Sequence, residues 1–592
     1  MDLRFLIITA TDGSGLHGPL PDNAATASLD AIWTAPDGRT QLRTNRPPLF
    51  FPGNIGAVVG PVFRRHGPAT PVLALDYPTG RPAEPIEMTD WLERFWGNYI
   101  GLWVERGEVK ILRAPMGQLP CYYVEHHSLI ALASDPDLLC EVGLYAPAID
   151  WGGVQRHLVG QDLPTERTGL LGLRELLPGN VLTLGAGCCR TEQVWSPWRF
   201  TAACSRWSKD PVEEQLRRTI MSACAACVSP HRQTVLGVSG GLDSSVIAAS
   251  LAAAKAPTKA VTLASDDAQG DERDYARILC RALDLDLHEA GYDIADVDLT
   301  RSLVAHRPRP CGRTHEQAYH AEIMRTVRRS GSDAFMTGNG GDNVFYNSQS
   351  ARALADRFLA EGPGIGLVET VRAVCAITQC SLVQAVWAGA KAAARLDRRY
   401  RWKADTRLLD RDFVNTELEE PLTHPWLAPS ENPLPGKAAH VAMLLRMQHH
   451  LEGYDRRLDL PVLNPLASQP VVELCLSIPT WEIIAGGRNR AIVRTAFSRL
   501  LPPAITQRTL KGGPDSFAIK VIEKNLNLVR ERLFCGHLAR KGYLDADALD
   551  ACLHPGRVQR GGLYMRLLFL LDTEAWIDHW LLARSPGGTA TD

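Results

Sequence analysis

Residues 235–245 read VLGVSGGLDSS, and this spacing describes an anion site. An apolar strand ends near Val238, Ser239, Gly240 and Gly241 make a tight turn, and a helix begins near Leu242. Main-chain N–H groups in such a turn converge on one point, and the helix N-terminus adds its positive end. A Cβ at Gly240 or Gly241 would block the approach of a phosphate to the backbone. Asp243 repels phosphates unless a cation intervenes, and Mg²⁺ takes carboxylate and phosphate oxygens together. The segment predicts phosphate binding by Val238, Ser239, Gly240, Gly241, Leu242, Asp243 and Ser244, with Asp243 as a metal ligand. A βα turn capped by Ser and Asp is the plain alternative. The complete SGGLDS after an apolar strand disfavours it, and no GxxxxGK[ST] occurs.

Such a turn must be held between strands and helices, and that grammar starts near residue 211. A helix (residues 211–228) precedes the strand TVLGV and the helix SSVIAASLAAA. Then come the strand KAVTLAS, the helix ERDYARILCRAL, and the strands LHEAGYD and DAFMTGN. Alternation of this kind predicts βαβ units and a parallel sheet. Beyond residue 350 the periodicity is helical, as in RALADRFLAEG and GLYMRLLFLLDTEAWIDHWLL. The first two hundred residues read as β-rich instead, with LFFPG, IGLWVE, VKILRA, CYYVEH and LIALAS between Gly, Pro and Asp turns. Residues 187–210 lose that pattern and read as a linker.

Composition narrows the function. Lys and Arg total 64 against 66 Asp and Glu in 592 residues, a net charge of -2. A nucleic-acid binder held by a general positive field needs a clear basic excess, so none is expected. The apolar run Phe5–Ile8 is too short for a signal segment and lies against Arg4. No stretch approaches the roughly 18–20 apolar residues that cross a bilayer, and a cytoplasmic location without membrane contact is expected. The 14 cysteines follow no framework spacing. Cys224 and Cys227 form a CxxC inside a helical run with no second pair to complete a zinc site, and read as small buried hydrophobes.

SGGLDS resembles the phosphate loop of the PP-loop ATP pyrophosphatases, and more narrowly that of the asparagine synthetase family. That family cleaves ATP between the α and β phosphates and adenylates a carboxylate. The resemblance extends to Ser265 in TLAS, to DERDYAR (residues 271–277) and to TGNGGDNVF (residues 337–345), which looks like the family's GxGxDElF segment. It implies ATP contacts at Ser265, Gly338 and Gly340, and a Mg²⁺ shared by Asp243 and Asp342. Two carboxylates at adjacent strand ends can share a cation and repel one another without it. RTLKGG (residues 508–513) resembles the segment holding the family's essential lysine. This implies a catalytic Lys511 that stabilises charge on the α-phosphate and the leaving pyrophosphate.

The chain departs from the family at Asn343, usually Glu, and where the family carries GxExRxPFLD. Residues 450–474 read HLEGYDRRLDLPVLNPLASQPVVEL there. Glu452, Tyr454 and Asp455 are the candidates for a substrate-side base, with His449 and His450 just before them. Each alone also reads as a polar helix end. GGDNVF together with HLEGYDRR and NPLASQPVVEL is most like the lasso-peptide cyclases, which close a macrolactam ring. Arg307, Arg309, Arg313, His315 and Glu316 in RPRPCGRTHEQ are further candidates to line a cavity, with a solvated loop as the default reading.

GQLPCYYVEHHSLIALASDPDLL, LGLRELLPGNVLTL and VWSPW look like the tail of the family's glutaminase domain. That domain works through an N-terminal cysteine whose own α-amine is the base. Met1 is followed here by Asp2 and the first cysteine is Cys121, so no glutamine hydrolysis is expected. The resemblance thus implies a degenerate, Ntn-hydrolase-like α+β domain over 1–205. Over 206–592 it implies an α/β PP-loop domain with a parallel sheet and a helical C-terminal extension. The expected reaction adenylates an Asp or Glu side chain of a precursor peptide and closes an isopeptide bond with that peptide's own α-amine, releasing AMP and pyrophosphate. The expected partners are the precursor peptide and the pathway's leader peptidase or leader-recognition protein. An ammonia-dependent asparagine synthetase or a β-lactam synthetase would share every ATP residue. A non-enzymatic scaffold is disfavoured by SGGLDSS, Asp342 and Lys511 together.

Overall fold

Every side chain of the first strand, FLIITA, is buried, which a strand achieves only with cover on both faces. That cover organises the N-terminal region. The computed structural model describes residues 3–11, 15–16, 28–75, 87–185, 188–202, 210–264, 270–429, 431–509, 515–554 and 562–582. Within them the N-terminal strands form two six-stranded sheets whose paired strands run antiparallel. One is ordered Arg174–Glu175, Tyr122–His126, Leu129–Ala133, Phe5–Ala10, Thr40–Thr44, Ala31–Thr34. The other is ordered Cys188–Gln193, Asn180–Gly185, Glu108–Arg113, Ile100–Glu105, Gly56–Val59, Leu49–Phe50.

Period-two alternation sorts the side chains. Phe5 and Ile7 join Ile100, Leu102, Val109 and Ile111 in the core between the sheets. Leu6 and Ile8 face the opposite way and pack in one cluster with Leu567, Leu568 and Trp576 of the helix Leu563–Leu582. The outer face of the second sheet, through Val58, Trp103 and Leu112, joins the core containing Leu216 and Ile220 of the helix Val212–Val228. Both sheets therefore lie inside the molecule. Residues 203–209 of the linker expected over 187–210 lie outside the described residues, and its first part is corrected: Cys188–Gln193 is a strand paired residue for residue with Asn180–Gly185. It lies at the sheet edge with no buried side chain, so no apolar run marked it in the sequence.

The second unit is built on five parallel strands. Their spatial order is Leu287–Gly291, Thr258–Ala264, Thr234–Gly237, Ala334–Met336, Val462–Leu463. The chain winds outward in one direction through the first three and in the other through the last two. The order reverses between Thr234–Gly237 and Ala334–Met336, and ligands of open α/β sheets bind beyond the strand ends at such a point. Helices dominate after residue 350, as expected. The fifth strand, of two residues, escaped the sequence reading because so short a run has no period. Cys224 and Cys227 sit in the helix Val212–Val228, with Cys224 in the core. Among the described residues no single helix is long and apolar enough to cross a membrane. The helices Ile365–Thr378 and Leu382–Ala393 pass that test of length and composition only as a pair, bent by 109°.

Candidate active site

The strand Thr234–Gly237 delivers its chain into a turn and then the helix Leu242–Ala253. Gly240 has φ +62°, and a Cβ there would lie 2.3 Å from the Cβ of Tyr275. The turn is closed by Ser239: its amide donates to Ser244 Oγ at 3.3 Å, and its Oγ accepts from the Gly241 amide at 3.3 Å. Arg508 holds the turn from outside. Its guanidinium donates to the Ser239 carbonyl at 3.1 Å and to Glu272 at 2.6 Å, and it lies 3.9 Å over the Tyr275 ring.

The second loop follows the neighbouring strand, Ala334–Met336. Gly338 and Gly341 let it touch the first: a Cβ on either would fall 2.9 Å from the Ser244 nitrogen or 2.5 Å from the Asp243 carboxyl carbon. This contact brings Asp243 and Asp342 to a common point. One terminal nitrogen of Arg490 donates to both Asp243 oxygens, at 2.9 and 3.0 Å, and to Asp342 at 2.6 Å. Asp342 also accepts from Asn347 at 3.0 Å. The predicted convergence of the two aspartates is thus accompanied by a residue that sequence reasoning missed. Arg490, itself at φ +56°, lies 148 positions from Asp342. The basic run Arg488, Arg490, Arg494 after a Gly-Gly turn was the signal available. Asn343 explains its departure from Glu by turning away and donating to the Met443 carbonyl at 2.8 Å.

A cleft of about 330 Å³ opens over these loops. Val238, Ser239, Gly241, Asp243, Ser244 and Gly338 line it. Gly240 packs on Tyr275, Leu242 lies in the core, and Gly340, at φ +86°, faces Met447. Ser265 and Lys511 lie outside the described residues. The far wall carries His315, Glu316, Tyr319, His320, Asn339 and Tyr454. The solvated loop expected at 307–316 is corrected here, because His315 is 5% exposed and its Nδ1 has no hydrogen-bond partner among the described residues. Burial alone would raise the Glu316 carboxyl, but the Arg313 guanidinium outweighs it and holds the group below the usual carboxylate range. Arg313 donates to Glu316 at 3.0 Å. Burial keeps His315 and His320 neutral, and His320 Nδ1 accepts from the Asp455 amide at 3.4 Å.

The three candidates for a base separate. Tyr454 stands in the cleft wall and accepts from Asn339 at 2.8 Å; burial pushes its hydroxyl up to about 12, so it is a donor rather than a base at neutral pH. Asp455 is turned into ion pairs with Arg301 at 3.0 Å and Arg457 at 2.9 Å. Glu452 does not line the cleft. It is ion-paired with Arg113 of the N-terminal sheets, and burial raises its carboxyl. Arg113 also holds Glu175 at 2.7 Å, and Glu175 meets Arg309 at 2.5 Å. Arg309 in turn reaches His449 at 2.7 Å. Arg307 lines a second cavity between the N-terminal sheets and residues 451–469.

No curated protein matches the chain. Two solved structures resemble it faintly, the allosteric regulatory enzyme of purine biosynthesis and the glutamine phosphoribosylpyrophosphate amidotransferase from B. subtilis complexed with ADP and GMP. Each is 13% identical; they cover 49% and 56% of this chain and 74% and 84% of their own, at TM-scores of 0.19 and 0.20. Overlap so slight carries no argument. The asparagine synthase family model, by contrast, matches residues 215–581, which contain both loops, Arg490 and the whole parallel sheet. That span exceeds half of the sequence, and the chain belongs to the asparagine synthase family, the ATP-dependent amide ligases.

Proposed function

We propose that the protein is a lasso-peptide cyclase. It adenylates an Asp or Glu side chain of a precursor peptide and joins it to that peptide's α-amine. The observation that carries the nucleotide half is the meeting of Asp243 and Asp342 on one nitrogen beside the phosphate turn, at the sheet's switch point. Two hard carboxylate oxygens aimed at one place suit Mg²⁺. Asp243 and Asp342 would hold the ion, which when bound would offset phosphate charge. The peptide half is supported by the segments GGDNVF, HLEGYDRR and NPLASQPVVEL. It is also supported by a cleft wall whose Tyr454 opens onto a second cavity.

In the first step a substrate carboxylate oxygen attacks the α-phosphorus and pyrophosphate leaves. Arg508, on the Ser239 carbonyl, and Lys511, three positions on in the sequence, are the cations for the charge that develops. In the second, the amine nitrogen attacks the acyl carbon, AMP leaves, and Glu316, kept ionised by Arg313, accepts the proton released as the amide forms. Much of the rate would come from positioning amine against acyl carbon. Glutamine plays no part in this scheme. Burial pushes the Cys121 thiol up to about 12, so it supplies no thiolate. The precursor peptide and a leader peptidase or leader-recognition protein are the partners of this reading, in the cytoplasm.

ATP–pyrophosphate exchange tests it, comparing candidate precursor peptides with free aspartate. Exchange driven by peptide and lost in Asp243→Ala is the expected result. Exchange with aspartate alone, followed by asparagine formation from ammonia, would overturn the peptide reading in favour of an ammonia-dependent synthetase.

A further inference from the structure

Tyr454 lines two cavities at once. Beyond it lies the second one, about 360 Å³, between the N-terminal sheets and residues 451–469. Phe63, Trp96, Met116 and Leu460 give it apolar surface, while Gln118, Asn464 and Gln469 present carboxamides. Gln469 is 2% exposed. Its nitrogen is engaged with the Leu92 carbonyl at 3.2 Å and Glu473 at 2.9 Å. Its Oε1 has no hydrogen-bond partner among the described residues. A buried amide oxygen without a donor is a standing cost that a ligand N–H can relieve.

A hydrogen-bonded chain connects this cavity to the nucleotide cleft. Asn464 Nδ2 donates to Gln118 at 2.9 Å, and Asn464 Oδ1 accepts from the Tyr454 hydroxyl at 3.4 Å. The same hydroxyl accepts from Asn339, in the cleft, at 2.8 Å. Carboxamides offer a donor and an acceptor without charge, which matches the repeating N–H and C=O of an extended main chain. Resting on the reading of a polypeptide substrate, we propose that the second cavity holds an extended segment of that substrate, bound through its main-chain amides by Gln469 and Asn464. The reacting side chain then reaches past Tyr454 into the nucleotide cleft.

Two variants test this without touching the nucleotide loops. Leu460→Trp fills the cavity, and Gln469→Met removes the amide oxygen at constant length; the second carries the test should the first unfold. The probe is a pool of fluorescein-labelled synthetic peptides with free α-amines and one internal Asp or Glu, followed by anisotropy, with ATP titrated in parallel. Both variants should raise the peptide Kd about tenfold with ATP binding near wild type. Leu460→Trp should keep the thermal midpoint. Gln469→Met, which also loses the bonds to Leu92 and Glu473, should lower it and is measured at a temperature where ATP binding shows it folded. Unchanged peptide binding in folded variants, while the pool drives exchange in the wild type, overturns the cavity assignment and leaves the peptide reading standing. No peptide-driven exchange in the wild type overturns that reading and the assignment with it. Displacement of the peptides by free glutamine makes the cavity a small amino-acid site and also overturns the assignment.

Discussion

Two clusters in this molecule tie a pair of carboxylates together with arginine, and they are built for different ends. In one, Asp243 and Asp342 share Arg490 at the rim of a cleft, with the Asp342 side chain 35% exposed. In the other, Glu175 and Glu452 are locked by Arg113 and Arg309 where the N-terminal sheets meet the helix Pro435–Glu452. Arg113 is fully buried there and also donates to the Leu176 carbonyl at 2.9 Å. A cluster built around a fully buried guanidinium, with a second arginine on Glu175, holds a fixed geometry. An open one, in contact with solvent and aimed at a nucleotide turn, can exchange its partners. Ion pairs of the same composition thus differ in how they are built in, one around a fully buried arginine and the other at a cleft beside a partly exposed aspartate.

The sharpest way to break this contrast is Arg113→Met. It takes the ion pair from buried Glu452 and leaves Glu175 to Arg309 alone, and a loss of about 3–5 kcal/mol in urea unfolding is expected. A tolerated substitution would mean the Arg113 cluster is not structural. Asp342→Asn should do the reverse. AMP release should fall about 10²–10³-fold while the thermal midpoint stays near wild type, because Arg490 keeps Asp243 as its partner.

Acid sharpens the contrast next. Burial, reinforced by Arg309, depresses His157 to about 4, and His449 beside it is held well below its ordinary value. Above about pH 6.5 such a histidine is neutral folded or unfolded; below it the unfolded chain gains a proton that the native state refuses. Stability is therefore lost as pH falls from about 6.5 towards about 4, by about 2 kcal/mol at pH 5 for His157, and His449 adds a loss of the same sign. Urea midpoints at pH 7 and pH 5 measure it, and His157→Phe should reduce the drop. The smallest effect belongs to Tyr454→Phe. Losing the bond from Asn339 should cost about 1 kcal/mol, roughly a fivefold fall in peptide-driven exchange, with ATP binding unchanged.

What could be read from the chain divides along the same line. SGGLDSS was legible because the turn, its glycines and its helix start lie within a dozen residues. Asp342 was legible through a second local motif. Arg490 and the Arg113–Glu452 pair were not, because their partners lie 148 and 339 positions away and no local pattern encodes such a distance. Glu452 looked like a base on the strength of its neighbours in sequence, yet the helix that carries it points it at the N-terminal sheets. The loop at 307–316 looked solvated because it is rich in Arg, Pro and His. It is buried because Asp572, on the last long helix, takes the amides of Cys311 and Gly312 at 3.0 and 2.8 Å.

The fifth strand of the parallel sheet, Val462–Leu463, has one further consequence, for the order in which the enzyme is made. It pairs with Ala334–Met336 through only two residues, Phe335↔Val462 and Met336↔Leu463. On the ribosome that neighbour emerges far earlier, and stays a bare sheet edge while five helices between Arg352 and Glu452 are synthesised. An open edge invites strand-to-strand association. The nascent chain is thus exposed to aggregation before its cleft gains Tyr454 and, later still, Phe517, and a ribosome stalled in that interval would present both loops but no closed site.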